Sequence, residues 1–203
     1  MSRIVVVGGS DQGRQTIDVI EAGGVHTVVA VLDPGLTVGS QVGGYPVIDP
    51  AGVDAVGADG FVVAVGDNSV RAAAIARVRD DRPDLALVSA IHPTAVIARD
   101  AVVGAGALVM AGVVVSNGCV VGDHASLAPG AVTGGNVHIG ASTAVGLGAN
   151  VIHEVTIGAH TVIGAGAVVL DDVPDHVVAF GVPARVVRAR AEGEPYLRRR
   201  TAG

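Results

Sequence analysis

Residues 91–173 read IHPTAVIARDAVVGAGALVMAGVVVSNGCVVGDHASLAPGAVTGGNVHIGASTAVGLGANVIHEVTIGAHTVIGAGAVVLDDV. Every sixth position from Ile91 carries one kind of side chain: Ile91, Ile97, Val103, Val109, Val115, Val121, Leu127, Thr133, Ile139, Val145, Val151, Ile157, Ile163 and Val169, branched aliphatics except at Thr133. Four places after each stands a residue no larger than valine, from Ala95 and Ala101 through Cys119 and Thr143 to Ala167 and Val173. Glycine directly follows the first of the pair in half of the repeats, at Gly104, Gly122, Gly134, Gly140, Gly146, Gly158 and Gly164, which predicts a tight bend needing a residue without Cβ. A period of six fits neither a helix nor a simple alternating strand. It predicts a solenoid of short parallel strands whose equivalent residues stack coil upon coil. A two-sheet sandwich would show turn signals every ~8–12 residues and no fixed register along the run. The charge-free stretches Asp100–Asp123 and Asp123–Glu154 have the length of a membrane span, but their regular glycines assign them to the solenoid.

The first ninety residues have a different grammar. Ile4–Val7 reads as a buried strand, Gly8-Gly9-Ser10-Asp11-Gln12-Gly13 as a turn, Arg14–Ala22 as a helix and Val28–Leu32 as a second strand. This is a βαβ opening with a degraded dinucleotide fingerprint, in which glycines let the backbone approach a phosphate at the helix N-terminus. Asp33 follows about twenty residues on, where an acidic side chain meets a ribose hydroxyl or caps the strand. Phe61–Val65 predicts a third strand, Ser69–Arg79 a helix and Leu85–Ala90 a further strand before the solenoid starts.

The chain has 203 residues, 50% hydrophobic and 16% charged, enough for one or two packed domains and unlike a coiled coil or a disordered segment. Its four aromatic residues include no Trp, so the stacking platforms of single-strand nucleic-acid binders are not expected. Net charge is −6, and all basic residues are arginines, six of them at Arg185, Arg188, Arg190, Arg198, Arg199 and Arg200. An acidic body with a basic tail argues against duplex binding, and the tail from Val187 onward is expected to form a short helix over the solenoid end. Cys119 stands alone, which excludes an internal disulfide, and its place in the small inward column marks it as core. The start lacks the pattern of a signal peptide, so a cytoplasmic protein is expected, with no nucleic-acid or membrane partner.

A βαβ lobe carrying the glycine turn, Ala64-Val65-Gly66-Asp67-Asn68 and Ala90-Ile91-His92-Pro93, then the hexads, then Phe180-Gly181-Val182-Pro183-Ala184-Arg185, resembles the NeuD/PglD-like sugar O- and N-acyltransferases of the hexapeptide-repeat superfamily. The resemblance implies an α/β N-terminal Rossmann-like domain (1–90), an all-β left-handed parallel β-helix (91–175) and a capping tail (176–203). The handedness comes from the resemblance alone, because parallel crossovers otherwise favour the right hand. It further implies a homotrimer, acetyl-CoA as acyl donor in the groove between neighbouring β-helices, and a nucleotide-linked sugar as acceptor. Gly8, Ser10, Gln12, Gly13, Asp33, Gly66 and Asn68 would line the sugar-nucleotide cleft. Gly135 would offer a backbone N–H to the thioester oxygen. Leu147, Ala165 and Arg185 would touch the coenzyme, the first two doubling as wall packing and Arg185 as a surface charge.

Four positions depart from the family. Where it carries a histidine base followed by an acid, this chain has Asn117-Gly118; Ser126 replaces a further histidine and Gln12 the histidine usual in the N-terminal turn. An amide accepts no proton near neutral pH but orients a substrate amine by hydrogen bonding. Three readings stay open. The base is His153 with Glu154, two coils further along the same column; transfer proceeds without a base at the usual place, served by water, His124 or His138; or the protein binds its ligands without catalysis.

Overall fold

The computed structural model describes residues 1–196. The first of two regions is a six-stranded sheet built on β1 (Ser2–Val7), whose Ile4, Val5 and Val6 are almost wholly buried. Around it lie α1 (Asp11–Gly23), β2 (His26–Leu32), β3 (Gln41–Val42), β4 (Tyr45–Ile48), β5 (Gly60–Val63), α2 (Asn68–Asp81) and β6 (Ala86–Leu87), in the order β3-β4-β2-β1-β5-β6. All pairs are parallel except the β3–β4 hairpin. That hairpin turns on Gly43-Gly44, both at positive φ, a turn signal the sequence reading passed over. Valine-rich continuous runs mark strands covered on both faces. The strand expected over Leu85–Ala90 divides: β6 joins the first sheet, whereas Ala90–Ile91 already pairs with Leu108–Val109 of the solenoid.

From Ala90 the chain winds as parallel two-residue strands whose partners lie eighteen residues apart, Leu108 on Ser126, Val120 on His138, Asn150 on Val168. Three sheets make the three walls. Both inward columns are buried, from Val109, Val113 and Val115 to Ala167 and Val169, with Cys119 at 1% exposure among them. The first coil is the exception: Ile91 is 39% exposed because no coil lies beneath it. The three edges carry the left-handed residues in columns: Gly112, Gly130, Gly148 and Gly166; Gly118, Asn136 and Glu154; Gly106, His124, Ser142 and His160. The glycines of Gly104, Gly122, Gly134, Gly140, Gly146, Gly158 and Gly164 are therefore not the ones that need positive φ. They are there because the coil above sits too close: a Cβ on Gly122 would lie 2.7 Å from the Ala141 nitrogen.

After the last coil, Val177–Gly181 pairs with Val162–Ile163 and returns antiparallel as Ala184–Ala189. The helix expected from Val187 is thus replaced by strand, because the last coil leaves an open edge whose hydrogen bonds a hairpin satisfies. Arg198, Arg199 and Arg200 lie outside the described residues. Asp171 and Asp172 are engaged structurally, with Arg185 at 3.2 Å and the Thr156 N–H at 2.7 Å. The lobe docks on one solenoid wall, where Ala90, Leu108 and Met110 pack into the same core as Ile17 and Ile20 of α1. Among the described residues no helix is long and apolar enough to cross a membrane.

Candidate functional site

In the lobe the chain runs from β1 out through β2 and β4, then crosses to β5 on the other side of β1. Strand order reverses there, and ligands of such sheets bind outside the carboxyl ends of the two strands at the reversal. Those ends lead into Gly8–Ser10 and Ala64–Gly66. Gly8 has φ +111, its N–H donates to the Leu32 carbonyl at 2.9 Å, and a Cβ there would lie 2.8 Å from the Ala64 carbonyl oxygen. A Cβ on Gly13 would strike the Gly8 carbonyl, so this glycine lets α1 close on the strand. Asp33 braces the turn, accepting the Gly9 N–H at 2.7 Å and the Gly35 N–H at 2.8 Å. Ser10 sits at the N-cap of α1, but its side chain makes no capping hydrogen bond. The opening N–H groups of α1 therefore receive no side-chain cap from Ser10. Those of α2 are taken, since Asp67 accepts from Ser69 and Val70 at 3.0 and 3.1 Å.

Where the lobe overhangs the solenoid wall there is a cleft of about 430 Å³. It brings together Gln12, Gly66, Leu147 and Ala165, four of the residues singled out from sequence, with Ser126 beside them. Gly8, Ser10, Gly13 and Asp33, expected in the same cleft, form the turn behind it and are not among its lining residues, and Arg185 and Asn68 stand elsewhere. Arg185 lies against Asp171 at the solenoid end. Asn68 is fully buried at the seam, donating to the Ser142 carbonyl at 2.8 Å and accepting from Arg190 at 3.0 Å, so its amide is spent on holding lobe and solenoid together.

Two residues that shape the cleft escaped the sequence reading. Arg71 is fully buried, and burial lowers its pKa to about 10. It donates to the carbonyls of Val65 (2.8 Å), Gly66 (3.3 Å) and His124 (3.1 Å) and to Ser126 Oγ (3.2 Å), fixing the loop after β5 to the solenoid. The available signal was its spacing: Asn68, Arg71 and Ile75 are the buried residues of α2 and form one helix face. Tyr196 closes the cleft from the C-terminal side, its hydroxyl donating to the Gly66 carbonyl at 3.3 Å.

Asn117, Gly135 and His153 occupy one edge of the solenoid, a coil apart from one another. The Asn117 carbonyl accepts the Asn136 N–H at 2.8 Å and the Gly135 carbonyl accepts the Glu154 N–H at 2.9 Å. The Gly135 N–H has no acceptor among the described residues. Asn117, His153 and Glu154 are exposed. Gly118 has φ +66 and supplies no acid for a histidine–acid pair, and the far end of the Asn136 side chain lies over it. Leu147 and Ala165 belong to a different edge, that of Gly148 and Gly166, so one chain does not unite them with the Asn117 column. Among the described residues no histidine lines the cleft. His138 is exposed on another wall, and His124 is half-buried, its pKa lowered by burial first and by Arg79 second. Among the described residues no group of three or more His, Cys, Asp or Glu is placed to hold a metal ion.

Residues 3–78 match the family model described as PglD N-terminal domain, and residues 100–135 match that of the bacterial transferase hexapeptide, six repeats. The crystal structure of PerB from Caulobacter crescentus in complex with CoA and GDP-perosamine is 35% identical, with a TM-score of 0.76 over 92% of this chain and 97% of that one. This chain belongs to the hexapeptide-repeat acyltransferases. Within that family its likeness is to the PerB, PglD and WeeI type of sugar acetyltransferase, with the left-handed β-helix that the resemblance implied. The acetyltransferase domain of PglB from Neisseria gonorrhoeae, in complex with acetyl coenzyme A, is 29% identical with a TM-score of 0.74, covering 92% of this chain and 99% of that one. WeeI from Acinetobacter baumannii is 26% identical with the same TM-score, over 92% of this hexapeptide-repeat chain and 100% of its own. Among curated proteins no sequence match was found.

Proposed function

We propose that this chain transfers an acyl group, acetyl in the first instance, from CoA to an amino or hydroxyl group of a nucleotide-linked sugar. The observation that carries the reading is the single cleft joining Gln12 and Gly66, at the strand reversal of the lobe, to Leu147 and Ala165 on the solenoid. A nucleotide sugar enters from the lobe, its phosphates toward Ser10 and the open N-terminus of α1, and the coenzyme lies along the solenoid. That PerB was crystallised with CoA and GDP-perosamine supports this ligand pair, and a histidine-to-asparagine variant of that enzyme was crystallised with both as well. Residues 1–90 act as the nucleotide lobe, 91–175 as the solenoid and 176–203 as its cap. A cytoplasmic location accords with the use of CoA.

In the transfer the acceptor nitrogen or oxygen attacks the thioester carbonyl carbon and a C–N or C–O bond forms. The Gly135 N–H meets the developing oxyanion. The C–S bond then breaks, and the departing thiolate takes up the proton that the acceptor releases. Asn117 orients the acceptor through its amide and removes no proton. Lack of a side-chain base costs roughly 10²–10⁴-fold in rate, so the enzyme is slow. The site forms between copies of the chain in a homotrimer: the Asn117 edge of one copy faces the Leu147 and Ala165 edge of another, which one chain keeps apart. Val96, Val102 and Val120, exposed on the two walls the lobe leaves bare, support such packing.

Two other readings each have an observation in their favour. His153 shares the Asn117 column, about 10 Å along it by strand spacing, and with Glu154 would serve as base for ligands shifted along the groove. Asn117-Gly118, standing where the family carries its histidine and acid, favours binding without catalysis. Calorimetric titration with acetyl-CoA and with GDP-, UDP- or dTDP-linked amino sugars, followed by assay of free CoA, separates these readings. Binding accompanied by slow CoA release supports the proposal, and binding without release favours the binding module.

A further inference from the structure

The cleft wall contributed by the C-terminal strap, residues 190–196, is unused in the account above. The strap is neither helix nor strand, yet it is firmly pinned. Arg190, 6% exposed, donates to Asn68 Oδ1 (3.0 Å), Ser69 Oγ (2.9 Å), the His160 carbonyl (2.8 Å) and the Glu194 carbonyl. Ser69 Oγ donates to the Glu194 carbonyl at 3.1 Å, and the Tyr196 N–H donates to Asp67 Oδ2 at 2.6 Å. Four of its five N–H donors are met in this way, while Nε has no partner among the described residues; taking an arginine out of water to hold an irregular segment is unfavourable unless most of its donors are held in a fixed geometry. The strap therefore has a specified course, and what that course delivers to the cleft is Tyr196.

Tyr196 is one of four aromatic residues in the chain, and the aromatic residue that lines the cleft. Its ring centroid is 5.6 Å from the Arg190 guanidinium carbon, and its hydroxyl is tied to Gly66. The polar side chains beside it, Gln12, Gln15 and Ser126, are uncharged. A flat apolar ring flanked by amides and a hydroxyl suits a pyranose, which offers C–H groups to the ring face and hydroxyls to the amides. We propose that Tyr196 is a specificity-determining residue for the acceptor, its ring stacking against the sugar at the lobe end of the cleft. This rests on the reading that a nucleotide sugar occupies that cleft.

The test is calorimetry on the full chain with GDP-perosamine or a UDP-linked amino sugar, with free GDP or UDP, and with CoA, for the wild type and for Tyr196→Ala, Tyr196→Leu and Tyr196→Phe. Stacking predicts that Tyr196→Ala and Tyr196→Leu weaken the nucleotide sugar roughly tenfold. Free nucleotide and CoA stay within about twofold of wild type, and Tyr196→Phe binds like wild type. Tyr196→Leu keeps the wall filled should the alanine variant fold poorly, and melting curves identify that case. Unchanged sugar binding, equal weakening of sugar and free nucleotide, or a phenylalanine variant as weak as leucine overturns the stacking role alone. A wild-type chain that binds CoA but no nucleotide sugar overturns the parent reading and this one together.

Discussion

Asn117 and Gly135 stand one coil apart on the same edge, and a Cβ added to Gly135 would lie 3.3 Å from the Asn117 amide. The bare glycine gives that amide its space. His153 follows one coil beyond Gly135 on that edge, two coils from Asn117. Asn117→His should raise the rate of CoA release at least tenfold, within the range general-base help supplies. It should not reach the upper end, because Gly118 supplies no acidic partner. His153→Ala should leave the rate within about twofold; a loss of a hundredfold would assign the base to His153. Steady-state assays of both variants decide the matter.

A site divided between two edges makes a prediction about mixing. A bulky substitution at Gly135, such as Gly135→Val, and a charged one on the coenzyme wall, Ala165→Glu, should each abolish transfer. Trimers reassembled from a mixture of the two variants contain some interfaces with both faces intact, and they should regain part of the activity. Sedimentation should show a trimer at micromolar concentration, and a mixture as inactive as its components would place the whole site within one chain.

The two classes of solenoid glycine should differ in cost. Gly122→Ala forces a Cβ to within 2.7 Å of the next coil's backbone and should destabilise by about 3 kcal/mol, as overpacking does. Gly148 has φ +61 with nothing within 4 Å of its Cβ position. There Gly148→Asn should cost well under about 1 kcal/mol, since asparagine tolerates that conformation as Asn136 does. Denaturant titrations of the pair should rank them in that order.

The hexads made the solenoid and its inward columns legible, because one face rule repeats at every coil, whereas the eighteen-residue register is set by the three-sided coil and is seen in the strand pairing. The glycine turn, Asp33 and the pairing of Leu147 with Ala165 were legible too, as they depend on local geometry or on the repeat. What escaped depends on contacts far apart in the chain. Arg71 and Asn68 look like ordinary residues of a helix until the solenoid is laid against it, and nothing in the sequence brings Tyr196 back to Gly66. The corner glycines were found for the wrong reason, since period alone does not distinguish a residue that needs positive φ from one pressed by its neighbour. The short β3–β4 hairpin was missed although Gly43-Gly44 announced it.

His124 and His160 give the fold a pH dependence. Burial is the leading cause that lowers both below 6.5, seconded by Arg79 for His124 and by the stacked His176 ring, 4.9 Å away, for His160. Between 6.5 and the lower folded values the unfolded chain binds more protons, so stability rises with pH there. It should be complete above 6.5 and decline as the pH falls through the folded values. Melting temperatures taken from pH 8 to pH 5 should show this, and His160→Asn, which keeps a residue suited to positive φ, should flatten the slope. An unaltered slope would place the origin elsewhere.

The most direct test of the transfer itself is mass spectrometry of a nucleotide-linked amino sugar incubated with acetyl-CoA and the full chain, with free CoA assayed in parallel. The account predicts that the sugar gains one acetyl group for each CoA released, at a low rate that saturates in both substrates. Tight binding of both ligands with no acetylated sugar, even after prolonged incubation, would contradict it.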